Sequence, residues 1–335
     1  MGPGDMLVAA NRLYGGSITQ FGRTISKFGW ECTFVDTDDV AAVQAALEEG
    51  GERCKALWVE SLANPGGSVT DLEPLADAAH AAGVPLIVDN TMATPYLTRP
   101  FEHGADLICH STTKFLSGHG NAMGGVVIDS GRFDWGADGT GERFPSLCQP
   151  EPAYHGLSFY ESFGDLAFTT FSHVVGLRDL GPTMAPMNAY LTLTGVETLP
   201  LRMERHVANA TAVAQHLSTH PAVAWVSHAS LPDSPYHAHM QKYCPKGAGS
   251  VFTIGLRGGY EAGMRVVESV NVFSHLANIG DTRSLILHPA STTHRQLTVE
   301  QRMACGAGDD VVRLSIGIES VEDLIADLDF ALAAE

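Results

Sequence analysis

At 335 residues and 35.6 kDa the chain is too long for one small domain and suits a two-domain globular protein. Apolar residues make up 44% and charged residues 17%, enough to fill a large core, which excludes disorder along the whole chain. A formal charge of −18 repels phosphate backbones and anionic lipid, no apolar run approaches the roughly 20 residues needed to cross a bilayer, and Met1–Asp5 lacks a signal-peptide pattern. The expectation is therefore a cytoplasmic protein with no nucleic acid and no membrane as partner.

The first two hundred residues alternate short β-branched runs with longer helical patterns, the order of a mostly parallel sheet wrapped by helices on both faces. Candidate strands run from Met6 to Ala10, Cys32 to Val35, Ala56 to Glu60, Leu86 to Asp89, Asp106 to His110 and Gly125 to Ile128. Asp38 can cap a helix over Val40 to Glu48 that stops at Gly50-Gly51, and a second helix from Asp71 to Ala82 ends at Gly83 before Pro85. From Gly131 to Tyr154 the sequence is rich in Gly, Pro and Asp and reads as a long connection. One long helix is predicted from Pro186 to about His220, where Pro221 ends it; it serves as a spine joining two domains, with boundaries 1–197 and 198–335. Beyond it, strands at Val223 to Ser227, Ser250 to Leu256, near Leu276 and at Val312 to Ile316 join helices at Glu261 to Phe273 and Ser320 to Leu332 in a smaller α/β domain. There is no internal repeat and no low-complexity segment.

Chemistry concentrates in His110-Ser111-Thr112-Thr113-Lys114, followed by Ser117-Gly118-His119-Gly120. Only five of the 20 basic residues are lysine, so a lysine on a glycine-rich turn after an apolar strand is conspicuous. Hydroxyls and backbone N–H groups at such a turn can hold a phosphate, and the amine can reach a bound aldehyde. A loop lysine beside helix-capping hydroxyls is the plainer alternative, and a Walker A loop is excluded because the glycines follow the lysine. Asp89 ends the apolar strand Val84 to Val88, 25 residues earlier, where α/β sheets bind ligands. Alone it could contact a ribose, ligate a metal or cap a helix. Paired with Lys114 it suggests pyridoxal phosphate, whose aldehyde is stored on a lysine and whose protonated ring nitrogen needs a carboxylate. Six cysteines, Cys32, Cys54, Cys109, Cys148, Cys244 and Cys305, form no C-x-x-C pair and read as reduced thiols.

Four stretches in order carry a resemblance: Leu13-Tyr14-Gly15-Gly16, Glu60-Ser61-Leu62-Ala63-Asn64-Pro65, Val88-Asp89-Asn90-Thr91 and the Lys114 motif. Together the chain resembles the fold-type I pyridoxal phosphate enzymes of cysteine and methionine metabolism. Three further segments look most like the O-acetylhomoserine sulfhydrylases within that family. They are Glu151 to Gly156, Gly195 to His206, and Asn278 to Ser284 continuing through His288 to Gln296.

The resemblance implies an α/β fold-type I transferase, with Lys114 as the Schiff-base lysine and Asp89 as the partner of the pyridine nitrogen. Ser111 and Thr113 match the hydroxyls that help hold the phosphate. Asn64 matches the side chain facing the phenolic oxygen, with Glu60 nearby as a cofactor contact or a structural partner. Tyr14 matches the tyrosine that stacks on the ring and shuttles protons near the leaving group. Arg313 matches the arginine that grips the substrate carboxylate, as a guanidinium does bidentately. Asn278 stands beside the substrate where lyases of the family commonly have serine. His288 and His294, six residues apart, fit no helical zinc pair and read as structural, and no metal is expected. Arg202, Arg205 and His206 read as a solvated or interdomain helix face.

The implied reaction is γ-replacement on O-acetyl-L-homoserine by sulfide or methanethiol, giving homocysteine or methionine and acetate. The open alternatives are a methionine or cystathionine γ-lyase, an O-succinylhomoserine sulfhydrylase, and an inactive truncated paralogue acting as a subunit. Full-length members of the family carry on the order of a hundred residues before the strand that begins here at Met6. Those residues supply a phosphate-binding turn and an arm reaching a neighbouring subunit. The expectation is thus an N-terminally truncated chain, and by analogy a homo-oligomer built as a dimer of dimers.

Overall fold

Short β-branched runs separated by amphipathic helices build one six-stranded sheet. The computed structural model describes residues 1–63, 67–293, 295, 298–304 and 306–333. The first strands are β1 (Met6–Ala10), β2 (Glu31–Val35), β3 (Cys54–Glu60), a hairpin of β4 (Leu62–Ala63) and β5 (Ser68–Val69), then β6 (Leu86–Asp89), β7 (Leu107–Ser111) and β8 (Gly125–Asp129). Their sheet order is β2-β1-β3-β6-β7-β8, parallel throughout except for the antiparallel β7–β8 pair. Every residue of β1 is buried, as a continuous apolar run in the middle of a parallel sheet should be. The chain runs outward from β1 to β2 and then returns across β1 to β3, so the direction of winding reverses at the carboxyl ends of β1 and β3. Open α/β sheets leave a ligand crevice at such a point.

The second sheet has the order β11-β12-β13-β10-β9, made of β9 (Val223–Ser227), β10 (Val251–Leu256), β11 (Ser274–His275), β12 (Leu285–Leu287) and β13 (Val311–Ser315). It is mostly antiparallel and packs its own apolar cluster under the helices Leu199–Ser218, Gly259–Ser269 and Val321–Leu332. The fold is therefore α/β with two sheets, and the mostly parallel one is the larger.

Several local expectations are corrected. Asp39, not Asp38, caps the helix Val40–Gly50, its carboxylate accepting from the Ala42 N–H at 3.1 Å. Asp38 is instead drawn to Arg12, at 2.6 Å, and to the Tyr236 hydroxyl. The spine is two helices, Pro186–Glu197 and Leu199–Ser218, with Thr198 out of helical geometry between them. Pro200 is the cause: it has no N–H to donate back along the helix, and its ring crowds the carbonyl four residues earlier. The connection from Gly131 to Tyr154 is not featureless, because Trp135 and Leu147 are buried within an aromatic cluster of Phe133, Phe144 and Phe168. Strand β12, the hairpin β4–β5 and the helix His237–Tyr243 were not foreseen; two or three apolar residues carry no readable period.

Candidate functional site

At the carboxyl ends of β1, β3, β6 and β7 lies a cavity of about 270 Å³. Eight of the nine residues singled out from the sequence line it: Tyr14, Glu60, Asp89, Ser111, Thr113, Lys114, Asn278 and Arg313. The ninth, Asn64, lies outside the described residues, as does His294. Segments far apart in sequence meet because parallel strands put all their carboxyl ends on one edge, and the register aligns Glu60 with Asp89 and Asp89 with Cys109.

Asp89 ends β6 in a turn that fixes its carboxylate. Oδ1 accepts both the Thr91 N–H, at 2.9 Å, and the Thr91 hydroxyl, at 2.5 Å. The same hydroxyl accepts from the Ser111 N–H at 2.8 Å, tying the end of β6 to the end of β7. Behind it, Asn90 accepts from the Ser61 hydroxyl and donates to the Thr98 carbonyl, so the turn is held on both sides. Burial pushes the Asp89 pKa up, opposed by the Thr91 hydrogen bonds. Among the described residues no cationic side chain offsets that burial.

Lys114 projects from the turn after β7, closed by the Gly118 N–H on the Lys114 carbonyl at 2.7 Å. Nζ donates to Asn278 Oδ1 at 2.5 Å, and the Asn278 carbonyl accepts from Arg313 Nη2 at 3.2 Å. Asn278 thus links the lysine, which belongs to the first sheet, to the arginine, which belongs to β13 of the second. Burial and the charge of Arg313 both lower the Lys114 pKa. Burial likewise brings Arg313 down to about 10, with Tyr14 acting in the opposite direction. That value still leaves the guanidinium charged at neutral pH.

The remaining lining residues are held less tightly. Tyr14 is 55% exposed, and its backbone N–H donates to Glu60 Oε1 at 2.6 Å. Thr113 exchanges hydrogen bonds with the Gly124 backbone, while Leu62, Met92, Met123 and Ile279 form the apolar walls. Sequence reasoning gave Thr91 no role of its own, although a hydroxyl two residues after a carboxylate was the available signal. The reading of a solvated or interdomain face divides along the helix: Arg205 is exposed, whereas Arg202 and His206 are buried between the two sheets, the interdomain alternative. His288 is fully buried between Ser291 and the Asp309 carbonyl, a structural role.

A larger opening of about 320 Å³ sits at the amino ends of β6 and β7, beside His80, Asp106 and Arg132. It contains none of the predicted site residues, and its one buried carboxylate, Asp106, is already taken by His80 and the Leu86 N–H. Among the described residues no group of three His, Cys, Asp or Glu side chains could hold a metal, and no helix is long and apolar enough to cross a membrane.

Residues 1–333 match the family described as Cys/Met metabolism PLP-dependent enzyme. The chain is 46% identical over 331 residues to O-acetyl-L-homoserine sulfhydrylase 1 of Thermus thermophilus, covering 98% of this chain and 77% of that protein. It is 44% identical over 333 residues to homocysteine synthase of Schizosaccharomyces pombe, covering 99% and 76%. Among solved structures, an O-acetylhomoserine (thiol)-lyase from Campylobacter jejuni bearing a pyridoxyl-lysine phosphate superposes with a TM-score of 0.93 at 37% identity, over 99% of this chain and 78% of that one. With a family match over nearly its whole length and relatives this similar, the chain belongs to the PLP-dependent enzymes of Cys/Met metabolism.

Proposed function

We propose that the chain is an O-acetylhomoserine sulfhydrylase, exchanging the acetate on Cγ of O-acetyl-L-homoserine for sulfide or methanethiol and releasing acetate with L-homocysteine or methionine. One observation carries the reading: Asp89, Lys114 and Arg313 line a single cavity in a chain 46% identical to a protein named for that activity. The pocket suits pyridoxal phosphate on structural grounds. Among the described residues Asp89 is a desolvated carboxylate held by Thr91 donors on one oxygen, and a protonated pyridine nitrogen would give it a cationic partner.

Bound between Asp89 and Lys114, pyridoxal phosphate supplies an aldehyde that captures the substrate amine and a cationic ring that draws off the electron pair released at Cα. Lys114 holds that aldehyde between turnovers and, once displaced by substrate, takes the Cα proton on Nζ. Burial and the nearby Arg313 charge favour its neutral amine, the form able to act as a base. Asn278 Oδ1 gives Nζ a fixed resting position. Arg313 grips the substrate α-carboxylate, oriented by the Asn278 carbonyl. By the family resemblance Ser111 and Thr113 would hold the phosphate, Asn64 would serve the phenolic oxygen and Tyr14 would stack on the ring, while Glu60 fixes Tyr14 through its backbone N–H.

Homocysteine formed from O-acetylhomoserine plus sulfide tests the reading. Production of 2-oxobutanoate from methionine or cystathionine without sulfide would make it a γ-lyase instead, and a preference for O-succinylhomoserine would replace the acyl donor. A folded chain giving no product would mean a non-catalytic subunit.

The reading extends to organisation. A boundary between 1–197 and 198–335 is supported by the helix break at Thr198 and by the separate apolar cluster of the second sheet. A homo-oligomer, assembled as a dimer of dimers, is supported by the helix Pro186–Glu197, whose only charged residue is Glu197 and which exposes Met187, Tyr190 and Leu193. A cytoplasmic location is supported by five cysteines that are free thiols among the described residues.

A further inference from the structure

The helix Leu199–Ser218 buries a guanidinium directly beneath the loop that carries Lys114. Arg202 is 5% exposed, and burial alone shifts its pKa, downward, with no acid opposing. Its donors go to carbonyls and a hydroxyl. Nη1 reaches the Phe115 carbonyl at 2.8 Å, and Nη2 reaches the Gly195 carbonyl at 2.6 Å and the Leu116 carbonyl at 3.5 Å. Nε donates to Thr198 Oγ1 at 3.1 Å. An arginine buried without a carboxylate is costly to the fold unless its donors are satisfied, and two of the four acceptors here are the carbonyls that directly follow Lys114.

The glycines of both motifs fit the same contact. A Cβ on Gly118 would stand 2.3 Å from Arg202 Nη1, and Gly118 has φ +78°. A Cβ on Gly195 would stand 2.3 Å from the Ser117 carbonyl oxygen and 2.4 Å from that of Leu116, both backbone atoms that cannot swing away. One turn further along the helix, His206 packs edge-on against the buried Phe115 ring at 5.3 Å. Its Nδ1–H donates to the Ile316 carbonyl at 2.7 Å, just beyond the strand that carries Arg313.

We propose that Arg202 is a positioning residue for Lys114: with Gly195 and Gly118 it clamps the carbonyls of Phe115 and Leu116 and so fixes how deeply the lysine amine sits in the cavity. The inference rests on the proposed role of Lys114 as the cofactor lysine, and goes beyond it by giving a task to the Gly195 to Arg202 segment. Arg202→Lys keeps the charge but gathers its donors on one nitrogen, so it lacks the planar fork that reaches the carbonyls from Nη1 and Nη2 separately. Glutamine loses the charge as well.

Two readouts separate positioning from general support. Reductive methylation of the cofactor-free protein across about pH 6 to 11, mapped at each lysine, reports the titration of the Lys114 amine. Borohydride trapping after mixing with pyridoxal phosphate reports how fast an adduct forms on Lys114. For Arg202→Gln, the Lys114 titration should move up toward its ordinary value of 10.5 as the loop rises toward water. Adduct formation should slow by about tenfold or more, while Lys27 and Lys242 react as in the parent. Arg202→Lys should fall between the two. Gly195→Ala, which keeps the guanidinium but pushes on the loop, should shift Lys114 in the same direction and serves as the test if the glutamine variant does not fold. Titration and trapping within twofold of the parent in all three variants, whatever their thermal stability, would overturn the proposal. A shifted Lys114 titration in the variants, with no Lys114 adduct even in the parent, would leave the clamp standing and remove the proposed cofactor role instead.

Discussion

Arg313 lines the cavity and donates through Nη2 to the Asn278 carbonyl, and a guanidinium has the planar geometry that pairs bidentately with a carboxylate. Arg313→Lys keeps a cation but removes bidentate geometry. We expect KM for O-acetylhomoserine to rise by about 10- to 100-fold with kcat changed far less, measured by steady-state kinetics with sulfide saturating. Asp89→Asn preserves shape and the Thr91 contacts while removing the charge that keeps a ring nitrogen protonated. It should lower kcat by about 100-fold or more, with a smaller effect on KM. At this scale the sequence was informative wherever reactivity itself demands a residue type. A lysine after hydroxyls, a carboxylate closing an apolar strand and a strand arginine all proved to line one cavity. For Arg202 and His206 the sequence left solvent and an interdomain face both open, because charge on an amphipathic helix normally means solvent, and only the packed structure reveals carbonyls as their partners.

Between elements, one buried carboxylate gathers three consecutive backbone donors. Asp327, on the helix Val321–Leu332, accepts the backbone N–H groups of Asn271, Val272 and Phe273 at 2.7 to 3.1 Å, holding the segment that enters β11. Asp327→Ala leaves three N–H groups without their acceptor and should cost about 2–4 kcal/mol in urea unfolding; Asp327→Asn should cost less, because one carbonyl oxygen remains. Long periodic elements were readable, since strands β1 and β6 and the helix ending before Gly83 are where hydrophobic pattern and turn residues agree. The break at Thr198 was readable in principle from Pro200, but the apolar period continues across it and masks the change of direction.

Across the whole molecule three buried histidines act together. Burial drives His110, His206 and His228 from 6.5 to about 4, each partly opposed by a backbone hydrogen bond. The folded pKa lies below the unfolded one, so unfolding takes up protons between about pH 4 and 6.5. Their share of the stability is complete above that window and is lost as pH falls through it, by up to about 1.4 kcal/mol per pH unit for each histidine. Urea midpoints taken from about pH 7 down to pH 5 should show this slope, and His228→Gln should reduce it by about a third whatever it does to stability at pH 7. The exposed apolar face of the helix Pro186–Glu197 gives a second whole-molecule prediction. Light scattering should report a mass well above 35.6 kDa, and Tyr190→Lys with Leu193→Lys should shift it toward the single chain. Asn278, which holds Lys114 with its side chain and Arg313 with its backbone, also sets an order of assembly. Roughly two hundred residues separate Lys114 from Arg313, or about 10–40 s of synthesis at typical rates. A nascent chain therefore displays Lys114 and Asp89 well before Arg313, and with it the proposed grip on a substrate carboxylate, has been made.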